Sequence, residues 1–226
     1  MIYFVVLLGL VGICMVLWTL TSRAGYESAD YTVIESDGSF EIREYPDLML
    51  AATSSDMDSR GRDGSFMRLF RFISGANEQE QKIAMTTPVF MEGGAGESTV
   101  SMGFVMPRDV ASSGVPEPNG QGVEIRQRDG GRFAVVRFAG WLSSDTAEAK
   151  ELELRDWMKT QGIEGEALAE AAGYDPPFTP GPLRRNEVLV RLSDSANIDS
   201  ANIDSANIDS ANINSDGVDA AMETSP

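Results

Sequence analysis

The sequence predicts an α+β domain. Two copies of a strand–helix–strand unit close into one antiparallel sheet, with two helices outside. Two observations carry this. The order of elements repeats: a short apolar helix starts at Ser65 and a second helix starts at Asp145, 80 residues on (145 minus 65). Glu124-Ile125-Arg126 also echoes Glu41-Ile42-Arg43 at a spacing of 83 (124 minus 41). Each half would expose an apolar sheet face that the other can cover.

Tyr31 to Ser36 and Phe40 to Tyr45 alternate around Asp37-Gly38, a hairpin signal. Pro46-Asp47 turns the chain into a third strand, Leu48 to Thr53, and the polar, glycine-containing stretch Asp56 to Gly64 reads as a loop. In the first helix, Phe66, Leu69, Phe70 and Ile73 recur at i, i+3, i+4 and i+7, with Gly75 as the stop. Lys82 to Met91 and Thr99 to Met106 read as strands, joined to the second unit by a long Gly/Pro/Ser-rich connection, Pro107 to Gly122. The second unit has a strand at Arg132 to Gly140. Its helix opens with Asp145 and Glu148 as a capping pair, carries Glu151 and Arg155 at i, i+4, and ends at Gly162.

Two appendages flank this domain, giving three segments: 1–24, 25–193 and 194–226. Ile2 to Leu20 is nineteen residues without a charge, about the length that crosses the ~30 Å core of a bilayer. The expectation is a single-pass membrane anchor with the domain on the extracytoplasmic side. The alternative is a signal peptide cleaved near Ala24, which would leave a secreted or periplasmic protein. The anchor is preferred because a signal peptide wants a basic n-region, and only the amino terminus supplies charge here. At the other end, Ser195-Ala-Asn-Ile-Asp199 recurs in tandem. Four such pentapeptides would make only about one coil of a solenoid, too little to bury a core, so the segment reads as a disordered tail.

The net charge is −17. The tail after Ser193 contributes seven acids and no base, so the remainder still carries −10 (−17 plus 7). Such a surface is unsuited to a phosphate backbone, and no nucleic-acid partner is expected. There is no histidine, which removes imidazole as base, metal ligand or haem ligand. The single cysteine, Cys14, lies in the apolar run. No nucleophile–base pair, phosphate loop or metal-ligand spacing occurs, so a binding protein rather than an enzyme is expected.

Lys82-Ile83-Ala84-Met85-Thr86-Thr87-Pro88-Val89, preceded by the apolar helix and Gly75-x-Asn77, stands about a hundred residues before a second segment. That segment runs from Tyr174-Asp175-Pro176-Pro177-Phe178 to Leu183-Arg184-Arg185-Asn186-Glu187-Val188. Over about Tyr31 to Leu192 this pattern resembles the SOUL, or haem-binding-protein, family. The resemblance implies a duplicated, distorted antiparallel β-barrel and noncovalent binding of haem or another tetrapyrrole, in a role of carriage, buffering or sequestration.

The residues offer a site compatible with such a ligand. On the first helix Met67 and Phe72 would flank the sheet-facing side while Arg68 and Arg71 point outward. Arginine forks carboxylates and stacks on π systems, which suits an apolar ring with carboxylate arms. Phe178 and Arg184 would form the opposite wall. Equally, Arg68 and Arg71 could be only the solvated face of an amphipathic helix. Tyr45, Tyr174 or a methionine could reach iron if it faced the pocket. A rival reading rests on architectural similarity to gyrase-inhibitory-protein-like domains. In it Glu187 is the working residue of a small-molecule effector-binding or hydrolase site, with walls from Trp141, Trp157 or Phe178. A tethered interaction module without a small ligand is the third reading.

Overall fold

A computed structural model describes residues 3–4, 7, 9–14, 25–56, 64–92, 99–176 and 178–193. In chain order these form β1 (Glu27–Ser28), β2 (Thr32–Asp37), β3 (Phe40–Tyr45), β4 (Leu48–Asp56), α1 (Ser65–Ile73), β5 (Thr86–Thr87), β6 (Val89–Glu92) and β7 (Thr99–Val105). There follow α2 (Arg108–Ser113), β8 (Glu124–Arg128), β9 (Gly131–Phe138), α3 (Ser144–Thr160), β10 (Gly165–Gly173) and β11 (Asn186–Leu192). β1 and β5 pair in parallel as a short strap. The other nine strands form one antiparallel sheet in the order β2-β3-β9-β11-β10-β6-β7-β4-β8.

That order runs outward from the central β10–β6 pair in matching steps: β11, β9 and β3 on one side, β7, β4 and β8 on the other. Each unit lends its first strand to the other, since β3 pairs with β9 and β8 with β4. The register keeps the sequence repeat. Arg43 stands opposite Phe133 and Arg126 opposite Leu50, so both partners step by the same 83 residues (126 minus 43, 133 minus 50). The echoed Glu-Ile-Arg is therefore a structural repeat, and the exchange of strands locks the halves together.

Side-chain alternation sorts the core into three layers. Leu50, Phe90, Val105, Phe133, Val135 and Leu189 meet on the inner face of the curled sheet. On the outer face, α1 covers the first half through Leu69, Phe72 and Ile73 against Ala51 and Phe104. Equivalently, α3 covers the second through Leu154, Trp157 and Met158 against Val188 and Val190.

Several local expectations are corrected. The strand expected over Lys82 to Met91 begins only at Thr86 and is split by Pro88, which has no N–H to donate and follows a cis Thr87–Pro88 bond. The connection from Pro107 to Gly122 carries α2. The second helix is capped by Ser143, whose hydroxyl accepts from Thr146 N–H at 3.2 Å, leaving Asp145 in the first turn where its charge suits the helix dipole. β10 fills the centre of the sheet although Gly-Glu-Ala-Leu-Ala-Glu-Ala-Ala-Gly is rich in helix formers. Pairing with β11 and β6 on both sides overrides that preference. Asp37-Gly38 does close the β2–β3 hairpin, with Gly38 at φ +62°.

The tail 194–226 and most of the loop expected at Asp56 to Gly64 lie outside the described residues. So does much of the run Ile2 to Leu20, where the described positions, including residues 9–14, are helical and exposed. Among the described residues, no helix is long and apolar enough to cross a membrane.

Candidate functional site

Polar side chains alternate along β3, placing Glu41, Arg43 and Tyr45 on the inner face opposite Phe40 and Ile42. β11 lies two strands away and presents Glu187 to the same face. Arg43 and Glu187 are both fully buried and form a forked pair, Nη1 to Oε2 at 2.8 Å and Nη2 to Oε1 at 3.0 Å. Arg185 adds Nε and Nη2 to Oε1 at 2.9 and 2.6 Å. The Tyr174 hydroxyl donates to Oε2 at 2.7 Å. Both carboxylate oxygens of Glu187 are thus taken by the chain's own donors. Arg43 also donates to Glu41 at 2.6 Å and to the Tyr45 hydroxyl at 3.0 Å. The Tyr31 ring lies over the Arg43 guanidinium at 4.2 Å.

The electrostatics follow from this enclosure. Burial pushes the Glu187 carboxyl up, but the hydrogen bond and charge of Arg43, with Arg185 and Tyr174, hold it below its usual value. Burial opposes the charge on Arg43 and Arg185, and Glu187 outweighs it, so both guanidinium groups hold their protons more tightly than usual. Burial pushes the Tyr45 phenol up to about 12, against the charge of Arg43, and raises Tyr174 well above its ordinary value. Two neutral phenols and a compensated ion cluster fill the sheet interior.

A different cavity opens on the outer face. Phe66 and Phe70 of α1, Met85, Val89, residues 173–176, Tyr26 and Phe178 line a groove of about 340 Å³. The volume is at the low end for ligand sites, and the lining is mostly apolar with a few polar groups, as such sites usually are. Asp175 is turned to its own loop, accepting from Arg185 N–H at 2.6 Å. Thr86 donates to Val105 C=O at 2.5 Å, fixing the groove floor against β7.

The residues singled out from sequence are distributed as follows. Phe178 is two-thirds exposed and lines the groove. Met67 and Arg71 are exposed on α1. Arg68 reaches away from the groove, donating to the Thr53 and Ser65 hydroxyls at 3.1 and 3.2 Å. Arg184 stacks on Trp141, 3.9 Å from its ring centroid, and donates to Thr179 C=O. Phe72 is 1% exposed in the core, not on a flank, while Phe70 is 45% exposed. The buried face of α1 is Ser65, Leu69, Phe72 and Ile73, a small rotation from the face expected. Both faces share Leu69 and Ile73 and both have helical spacing, so periodicity alone could not choose. Met85, Val89, Phe66 and Tyr26 were not assigned to a site. Met85 sits in the motif Lys82 to Val89, and that placement was the available signal.

The profile described as SOUL heme-binding protein matches residues 26–191. The chain belongs to the SOUL heme-binding protein family. Within it, the chain is 32% identical over 150 residues to mouse (Mus musculus) heme-binding protein 2, covering 62% of this chain and 72% of that one. It is 25% identical over 163 residues to Xenopus laevis heme-binding protein 1, covering 68% and 84%. Among solved structures, a hydrolase from Listeria innocua superposes with a TM-score of 0.52 at 10% identity, over 71% of this chain and 94% of that one. The C-terminal domain of EcmrR gives 0.50 at 12%, over 72% and 98%. At such identities the likeness speaks for a shared curled-sheet fold alone.

Proposed function

We propose that this SOUL domain binds haem or a related tetrapyrrole noncovalently in the groove between α1 and the 173–178 segment, and serves to carry, buffer or sequester it rather than to transform it. The observation that carries this reading is the pairing of an open apolar groove with a filled interior. A flat ring can lie against Phe66, Phe70, Val89 and Phe178 with its carboxylate arms toward solvent and the Arg71 side of α1. Tyr45 and Tyr174 are unsuited to iron, because each phenol is held neutral and hydrogen-bonded within the Glu187 cluster. Met85 and Tyr26 line the groove, and they are the side chains there that could approach iron weakly. The N-terminal apolar run would hold the domain at a membrane.

The effector-type alternative, a cation held by Glu187, is disfavoured by the same geometry. A cationic ligand would have to displace Arg43 or Arg185 from Glu187 and break the ion pairs that hold that buried carboxylate. Titrating the full chain with hemin and with metal-free protoporphyrin, followed by absorbance, tests the proposal. Both should bind with similar affinity, and bound hemin should lack a bis-histidine spectrum. Saturable binding of a lipophilic dye cation, with neither porphyrin bound, would refute it.

A further inference from the structure

The groove and the N-terminal run are close in the chain. Tyr26 lines the groove, and Leu20, the last residue of the uncharged run, is six residues earlier (26 minus 20). Fully extended, those six residues span at most about 22 Å. Wherever the run lodges, Tyr26 stays within about 22 Å of its end. The described residues of the run do not fill the groove: Tyr3, Phe4, Leu7, Leu10, Val11 and Ile13 are each more than half exposed, an apolar surface left uncovered by the domain. The groove rim is itself apolar and exposed. Of the lining residues Phe178 is 67%, Phe70 45% and Tyr26 36% exposed, and Met67, 50% exposed, does not line the groove but adjoins it on α1 at i, i+3 to Phe70.

We infer that the groove mouth docks on a lipid bilayer surface, with Met67, Phe70, Phe178 and Tyr26 entering the interfacial layer and the groove opening toward the acyl chains. Aromatic side chains favour that layer, and apolar burial of this kind sustains interfacial binding. The occupant is a bilayer rather than a second protein because the run that leads into the rim is uncharged and long enough for a bilayer core. The domain's net charge of −11 (−10 for residues 1–193, less Arg23) sets the kind of surface. Attachment rests on apolar insertion, and zwitterionic lipid serves at least as well as anionic lipid. The inference rests on the ligand reading above only for its consequence: an apolar ring dissolved in the bilayer would enter the groove without crossing water.

The full chain with Cys14→Ser carries one environment-sensitive fluorophore, at Met67→Cys beside the groove or at Lys159→Cys on α3. Each is mixed with phosphatidylcholine vesicles, with and without a headgroup-attached nitroxide quencher. The expected result is that the chain floats with the vesicles, the label at 67 brightens and is quenched, and the label at 159 does neither. Adding phosphatidylserine should not strengthen the signal. Absence of flotation, or flotation with the label at 67 as water-exposed as that at 159, overturns the inference. Hemin titration of the unlabelled chain without vesicles separates the two ideas. Hemin binding with a water-exposed label at 67 sinks docking alone. A lipid-buried label at 67 without hemin binding sinks the ligand reading alone.

Discussion

The inner and outer faces of the central strands present opposite solutions to the placement of polar and apolar groups. Inside the sheet, a carboxylate that could have received a ligand is filled by the chain's own Arg43 and Arg185 and screened by Tyr31, Tyr45 and Tyr174. Outside, beside α1, aromatic side chains that could have been covered are left facing a groove. Under the proposed function the interior would hold the sheet together and the outer groove would do the recognising. A chain with an open Glu187 and a covered α1 flank would have the reverse chemistry on the same sheet.

This contrast can be broken at either end, and the interior should break hardest. Glu187→Ala leaves the fully buried Arg43 with Glu41 as its remaining counter-charge and takes the carboxylate from the partly exposed Arg185, and breaking a buried pair of this kind costs about 3–5 kcal/mol. At ~2–4 °C per kcal/mol for a domain of this size, thermal unfolding should show a drop of several degrees or more. An unchanged Tm would mean that the cluster is hydrated and loose.

The groove comes next. Phe70→Ala removes a half-exposed ring that the ligand would cover, a loss of about 1.5 kcal/mol and hence of about tenfold in hemin affinity. Its Tm should move little, whereas Phe72→Ala should lower stability by about 3–5 kcal/mol through a core cavity.

The pH dependence sharpens the comparison further. Glu187 is held below its ordinary 4.5 in the folded state. Its contribution is present above that pH and is lost as the pH falls through the lower folded value. Tyr45, raised from 10.0 to about 12, acts in the other direction, favouring the fold below pH 10 and ceasing to do so as the pH rises through 12. Unfolding curves should weaken at both extremes, and Glu187→Gln should flatten the acid limb. The smallest effect is expected from Arg71→Ala. An exposed charge of this kind contributes ~0.2–1 kcal/mol, so hemin affinity should fall only a few-fold, and less at high salt.

The duplicated plan was legible because the 83-residue echo and the order of elements are properties of the chain itself. The central strand β10 was not, because its alanines and glutamates state a local helical preference that only the pairing with β11 and β6 reverses. Glu187 and Arg184 stood out within a motif, yet the partner that decides the role of Glu187 is Arg43, 144 residues away. The available trace was the polar alternation of Phe40 to Tyr45, with Glu41 and Arg43 on the same face as Tyr45. On α1 the difference between a core Phe72 and a groove Phe70 is a rotation smaller than helical spacing resolves, and it puts Phe70 rather than Phe72 beside the groove.

The most direct test of where the ligand sits uses the paramagnetism of ferric haem. Methyl resonances of the full chain are recorded by NMR with and without one equivalent of hemin. The account predicts broadening centred on Met85 and Val89 beside α1, with Val135 and Leu189 of the inner face and Val190 beneath α3 less affected. Broadening centred on Val135 and Leu189 would put the ring inside the sheet and contradict it.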